Sequence, residues 1–304
     1  MTARPSMGPA RALVAVVAIV SASCAAPLLK LPSGPGSPAP EAVDLLAQAT
    51  RACRGIRTFT AEIAVSGSVG ANKTRGRLSA GLAAPASARL EAVAPFGEPL
   101  FIFAATGNDA TLLLPRDQRV LEHGPPDAVL EAIAGVPLGA AELRATLTAC
   151  TAGAADPAGA RQLGDMWRTV PVGPGHDVYL HRDSTSTPWR LVAAIRHAAG
   201  RQRGWRAEYS DFQNDLPRAV RLTTESAGPS GFDLQLALSQ VETNVPLGPE
   251  VFRVQIPASA DPITLEELKR VGPLAPPRGK TQAKRSDSRL LGPLAGKPPT
   301  AYDR

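Results

Sequence analysis

Cys24 is the residue with the clearest chemistry in this sequence, because its thiol follows the residue pattern of an exported protein. Arg4 and Arg11 precede an apolar run, "ALVAVVAIV", which ends in "SAS" directly before Cys24. This order of charged, apolar and small residues is typical of a secretory signal. The residues leave three interpretations open: a bacterial lipobox whose cysteine is acylated, ordinary cleavage by signal peptidase, or a chance cysteine. Ser21 stands where the lipobox usually has Leu.

Two further cysteines, Cys53 and Cys150, are the other thiols of the chain. An exported protein meets an oxidising environment, so we expect them to pair in a disulfide. The alternative is that each is a separate buried thiol, because cysteine also behaves as a small apolar residue.

Catalytic and cofactor-binding patterns are absent from the sequence. It has no G-x-S-x-G elbow, phosphate-binding loop, dinucleotide fingerprint or H-E-x-x-H. No histidine has a second ligand-type residue at a spacing that presets a metal site, and His181 with Asp183 indicates a surface ion pair. We therefore predict a protein that is not an enzyme and that holds no metal or cofactor.

The net charge of +6 comes from the two ends of the chain. Nine of the 33 Lys and Arg lie in residues 1–23 and 271–304, against two of the 27 Asp and Glu. The remainder is close to neutral, whereas a nucleic-acid-binding domain normally carries its own basic face. We predict no nucleic-acid partner.

Composition divides the chain into four segments. Residues 1–23 are the predicted signal peptide, and residues 24–41, rich in Pro, Gly, Ser and Ala, are a predicted flexible tether. Residues 42–270 are one predicted domain, and residues 271–304 form a basic tail with the composition of a disordered segment.

Hydrophobic periodicity predicts the elements of this domain. A helix leads in over "PEAVDLLAQATRACRGI", and alternating strands follow from Phe59. Two helices, "PPDAVLEAIAG" and "GAAELRATLTAC", interrupt the strands halfway. Further strands include "FDLQLALSQVE", with "VFRVQIP" as one additional candidate, before a short C-terminal helix. About ten or eleven antiparallel strands favour a mainly β fold, one curved sheet or open barrel. From the pattern alone, its aliphatic interior is either a plain core or a cavity under a helical lid.

One central block resembles the LolB family, outer-membrane lipoproteins that accept lipoproteins from the periplasmic carrier LolA. It contains "APFG", "LFIFAATGNDATLLL" and "IAGVPLGAAELR" in the family's order. Weaker likeness extends over most of Phe59 to Val241. The resemblance implies an open, unclosed antiparallel β-barrel with a helical lid, whose apolar interior holds acyl chains. It also favours acylation of Cys24.

The resemblance implies particular site residues. Pro95, Phe96 and Gly97 match the family's turn, whose exposed apolar residue is thought to pass cargo into the membrane. Residues expected to line the cavity or lid are Leu90, Leu100, Ile102, Leu112, Leu114, Val129, Ile133, Leu143 and Leu236.

The implied function is that of a lipid-anchored acceptor on the outer membrane, facing the periplasm. It would take lipoprotein acyl chains from a LolA-like carrier and help insert them into that membrane. Two alternatives remain: a LolA-like sensor of lipid or lipoprotein, and a structural envelope lipoprotein with a filled core.

Overall fold

The computed structural model describes residues 27–93, 99–200, 202–225 and 231–271. Cys24, the turn Pro95–Gly97, the predicted signal peptide and nearly all of the basic tail lie outside these residues. The strands are β1 (Ser37–Pro38), β2 (Thr58–Val69), β3 (Asn72–Ala83), β4 (Ser87–Val93), β5 (Ile102–Thr106), β6 (Asp109–Leu114), β7 (Arg119–Gly124), β8 (Arg161–Gln162), β9 (Trp167–Pro171), β10 (His176–His181), β11 (Arg190–Arg196), β12 (Trp205–Gln213), β13 (Leu216–Thr224), β14 (Phe232–Thr243) and β15 (Asp261–Pro262). The helices are α1 (Ala42–Ala49), α2 (Arg51–Arg54), α3 (Pro126–Ala134), α4 (Ala140–Leu147) and α5 (Leu265–Val271).

All fifteen strands belong to one sheet that does not close on itself. Its order is β1-β8-β9-β10-β11-β12-β13-β14-β2-β3-β4-β5-β6-β7-β15, and every pair is antiparallel except β15 with β7. Consecutive strands are mostly hydrogen-bonded neighbours, as in an up-and-down barrel. The predicted open, antiparallel, mainly β fold is confirmed. It has more strands than expected because three of them are two residues long and because β7 was not predicted.

Alternation of side chains along the strands gives the sheet one apolar face, which we call the inner face. A row of directly paired residues runs across five strands as Ala61, Ala80, Leu90, Phe103 and Leu112. Each is at most 5% exposed. Paired residues of an antiparallel sheet point to the same side, so these strands contribute one continuous core surface.

The helices lie over this inner face and carry their apolar residues toward it. α4 contacts β3, β4 and also β13, which lies on the other side of β14 and β2. α3 contacts β6 and is itself packed against α5. α3 begins with Pro126 and ends before Gly135, whose φ of 74° favours glycine and whose added Cβ would lie 2.6 Å from Val69. Among the described residues no helix is both long and apolar enough to cross a bilayer.

Two predictions about individual segments need correction. Residues 27–41 are not a free tether, because β1 pairs with β8 and the Ala39 N–H donates to the Ala160 carbonyl at 3.1 Å. Their composition forbids a core of their own but not pairing with a sheet edge. The segment "VFRVQIP" is not a strand: its start belongs to the 3₁₀ turn Pro249–Phe252, which packs on β4 and β5.

Candidate functional site

The space between the sheet and helices α3 and α4 is filled with aliphatic side chains. Leu112 and Val129 are fully buried, while Ile133 and Leu143 are 3% and 7% exposed. All four belong to a single core cluster shared by sheet and helices. A hollow between α4 and β10–β12 has a volume of about 30 Å³, room for a single water and not for an acyl chain. Among the described residues, helices α3 and α4 therefore close the inner face.

A polar contact, which we call the latch, holds the N-terminal end of α4 against the sheet. It consists of Glu142, Arg196 and the carbonyl of Pro137: the Arg196 guanidinium donates to both Glu142 oxygens at 3.1 and 3.2 Å and to the Pro137 oxygen at 2.8 Å. Glu142 also accepts the Gly139 N–H at 3.1 Å, closing the first turn of α4. The Arg196 side chain is only 9% exposed, so the latch excludes most water.

A second ion pair holds α3 to the same region of the sheet. The Arg203 Nε donates to a Glu131 oxygen at 2.7 Å, and the Arg203 carbonyl accepts a hydrogen bond from Arg196 at 3.2 Å. Helices α3 and α4 are thus both joined by polar contacts to the end of β11 and the residues that follow it.

The opposite end of α4 is held covalently. Cys53 in α2 and Cys150, three residues after α4, form a disulfide with their Cα atoms 5.8 Å apart. The structure therefore contains the expected disulfide rather than two separate buried thiols. It fixes the C-terminal end of α4 beside α2, while the latch at the other end depends on charges and hydrogen bonds alone.

Two histidines beside the latch have shifted ionisation. Burial lowers the pKa of His176, whose Nε2 lies 3.6 Å from Glu142; that carboxylate opposes the shift. Hydrogen bonds with Glu225 at 2.5 Å and Asp177 at 2.8 Å raise the pKa of His197. His197, the residue that follows β11, thus links Asp177 near the start of β10 to Glu225 just after β13. Within the described ranges, no group of three or more His, Cys, Asp or Glu is arranged to hold a metal ion.

A larger hollow, which we call the outer groove, lies on the opposite face of the sheet and has a volume of about 920 Å³. It crosses β12, β13, β14, β2 and β3, where the paired row Tyr209, Val220, Leu236, Val65 and Gly76 faces the core. The two flanking rows must then point outward. These rows, which form the floor of the groove, are Ser210, Ala219, Ala237, Ala64, Arg77 and Glu208, Arg221, Gln235, Ser66, Arg75.

The nine residues expected at a cavity or lid are distributed over three environments. Members of the packed inner core, or half-buried against it, are Leu90, Leu112, Val129, Ile133, Leu143 and Leu114. Ile102 is half-buried on the outer face, opposite Glu91 and Leu113. Leu100 and Leu236 border the outer groove, Leu236 from a core-facing position. These nine aliphatic residues lie in different environments because the face of the sheet to which a side chain points depends on strand register. Hydrophobic periodicity does not determine that register.

The latch and the outer groove are absent from the sequence predictions. The Glu142–Arg196 pair joins residues 54 apart, without a local signal. One clue was available: Arg196 ends the strand "RLVAAIR", in which residues 191–195 are all apolar. A charged residue at an inward position of such a strand indicates a buried partner.

Comparisons with known proteins found similar solved structures only. No protein-family model matches the chain, and no curated protein matches it. A LolA superfamily protein from Nitrosomonas europaea has a TM-score of 0.49 at 12% identity, covering 69% of this chain and 96% of its own. A putative outer membrane lipoprotein-sorting domain from Vibrio parahaemolyticus has a TM-score of 0.44 at 12% identity, covering 70% and 97%. Likeness at these values concerns the general fold and does not assign a ligand or partner.

Proposed function

We propose that this protein is a lipid-anchored envelope protein that receives lipoprotein acyl chains between its inner sheet face and helices α3 and α4. It then helps insert them into the outer membrane. A LolA-like carrier is the proposed donor. The proposal includes no metal, cofactor or enzymatic step.

The observation that carries the proposal is how α3 and α4 are held. Their undersides contribute aliphatic side chains, among them Val129, Ile133 and Leu143, to the inner core. Their polar ties lie beside Arg196 and Arg203 at one side, and the disulfide fixes the far end of α4. Opening the latch would let α4 move about its covalent end and expose a continuous apolar surface.

The energetics of such a site are favourable for acyl chains. Each buried methylene contributes about 0.8 kcal/mol, so an acyl chain can replace the lid's own contacts with the sheet. Because the closed lid competes with the ligand, the apparent affinity depends on the fraction of open molecules. Binding is therefore reversible, as a transfer protein requires.

Two measurements test the proposal. Intact-mass analysis of the detergent-extracted protein should find a diacylglyceryl group on Cys24; an unmodified chain that begins after this residue would contradict the anchor.

The second is photolabelling with a diazirine fatty acid, followed by peptide mapping. Saturable labelling of α3, α4 and β6 is expected. Absence of saturable labelling would instead support a structural lipoprotein with a filled core, for which the packed interior is the favourable observation. Labelling confined to the outer groove would also contradict the inner site.

A further inference from the structure

Four large apolar side chains are exposed in the described part of the chain, and two of them line the outer groove. The four are Leu28, Leu29, Leu100 and Ile256, at 45%, 37%, 38% and 38% exposure. Leu29 and Leu100 line the groove, and Leu28 is the neighbour of Leu29. The groove crosses five strands, a width of about 19 Å at the usual strand spacing. Large apolar side chains exposed at both sides of a groove indicate a contact site.

The N-terminal segment is fixed at this groove rather than hanging free. The Leu29 N–H donates to both oxygens of Glu208 at 3.1 Å, and the Arg206 guanidinium donates to the Leu29 carbonyl. Arg206 and Glu208 also pair with each other on β12, where their side chains are 18% and 12% exposed. The backbone of Leu29 is thus held by a charged pair that is itself largely shielded.

The position of this attachment limits where a lipid on Cys24 can be. Cys24 precedes Pro27, the first described residue of the groove, by three positions. Three residues span at most about 11 Å even when fully extended. An acyl anchor on Cys24 therefore enters a bilayer beside the outer groove, which brings that face to the membrane.

The charges at the groove suit a membrane with anionic headgroups. Arg75 and Arg77 flank Gly76 on β3, and both are exposed on the outward-facing rows. Guanidinium groups bind phosphate with paired hydrogen bonds, and basic residues beside a lipid anchor strengthen its attachment to anionic lipid.

We propose that the outer groove, with Leu28, Leu29, Leu100, Arg75 and Arg77, is the face that this protein lays on an anionic phospholipid bilayer. This rests on the acyl anchor of the proposed function. It goes beyond that function by assigning an orientation: the sheet lies on the membrane, and helices α3 and α4 face away from it.

A fluorescence experiment on the lipidated full chain in phosphatidylethanolamine and phosphatidylglycerol vesicles tests the orientation. L100C and I256C each receive an environment-sensitive nitrobenzoxadiazole label; the two positions are equally exposed, at 38%. Ile256 serves as the control because it follows the Pro249–Phe252 turn and leads to β15, at the far edge of the sheet. Cys53 and Cys150 are joined and do not take the label.

The expected result is a blue shift at position 100 and quenching there by brominated lipid, with position 256 unchanged. A label at position 100 that stays as in water, while intact mass shows acylated Cys24, overturns the orientation and leaves the anchor standing. Equal shifts at both positions also overturn it.

A second measurement keeps the test independent of acylation. The full chain carrying C24A is sedimented with phosphatidylglycerol vesicles, and the test variant adds R75Q/R77Q. The control variant adds R51Q/R54Q, which makes the same charge change at exposed positions of α2. We expect at least tenfold weaker binding for R75Q/R77Q alone. Equal loss of binding in the two double variants would overturn the proposal that the groove contacts the bilayer. A dimer in solution that buries position 100 would also overturn it.

Discussion

Replacing Glu142 with Gln should weaken the fold and strengthen acyl-chain binding together. Glutamine is also accepted at the third position of a capping box, so α4 keeps its first turn. What E142Q removes is the charge opposite Arg196, at 3.1 and 3.2 Å, and near His176, at 3.6 Å. The substitution therefore acts on the latch and leaves the apolar underside of the helix unchanged.

The magnitude follows from the burial of the pair. Removing one partner of a fully buried ion pair costs about 3–5 kcal/mol. Glu142 is 23% exposed and glutamine retains a hydrogen-bonding oxygen, so we expect a loss of about 2 kcal/mol in unfolding free energy. If opening breaks the latch, E142Q also lowers the free energy of opening by about 2 kcal/mol. This raises the open population about 30-fold, and the apparent affinity for the acyl chain rises by up to that factor.

The assay is titration of a fluorescent fatty acid into C24A protein, with urea unfolding on the same samples. D233N is the matched control, because Asp233 pairs with Arg221 at 2.7 and 2.9 Å between β13 and β14, away from the lid. We expect D233N to lower stability without changing the dissociation constant. An E142Q protein that is less stable but binds the fatty acid no better would refute the moving-lid reasoning.

Three other perturbations have defined outcomes. The pKa of His197 is raised in the folded state, so its stabilising contribution is complete below the unfolded value of 6.5 and is lost as the pH rises through the folded value. H197Q should therefore flatten the plot of unfolding free energy against pH above about 6.5, and an unchanged slope would contradict this. Replacing Cys53 and Cys150 with Ser opens a loop of 97 residues and should cost about 4–5 kcal/mol by urea unfolding, whereas a loss below about 1 kcal/mol would mean that the bridge constrains little. L112A at a fully buried site should cost about 3 kcal/mol by the same measurement and L114A, at a half-buried site, clearly less; equal losses would contradict the packing described.

The sequence predicted those features that depend on local pattern. The helices from Pro126 and Ala140 and most strands follow from periodicity, and the C-terminal helix begins at a capping box in which the Glu267 N–H donates to Thr264 Oγ1 at 3.2 Å. The latch, the outer groove and the docking of Leu29 on Glu208 depend on strand register and on contacts between distant residues. Neither is encoded in a run of neighbouring residues, so only the folded chain reveals them.

The two unclosed edges of the sheet are protected against pairing with another chain. The first and last strands in the sheet, β1 and β15, are two residues long and each contains a proline, Pro38 or Pro262. Proline cannot donate a ladder hydrogen bond, and very short edges give another chain little to pair with. The sheet therefore stays open at its ends without offering strands for intermolecular pairing. A closed barrel would fix the curvature of the inner face, whereas an open sheet with blunted edges can adjust to the proposed movement of α3 and α4.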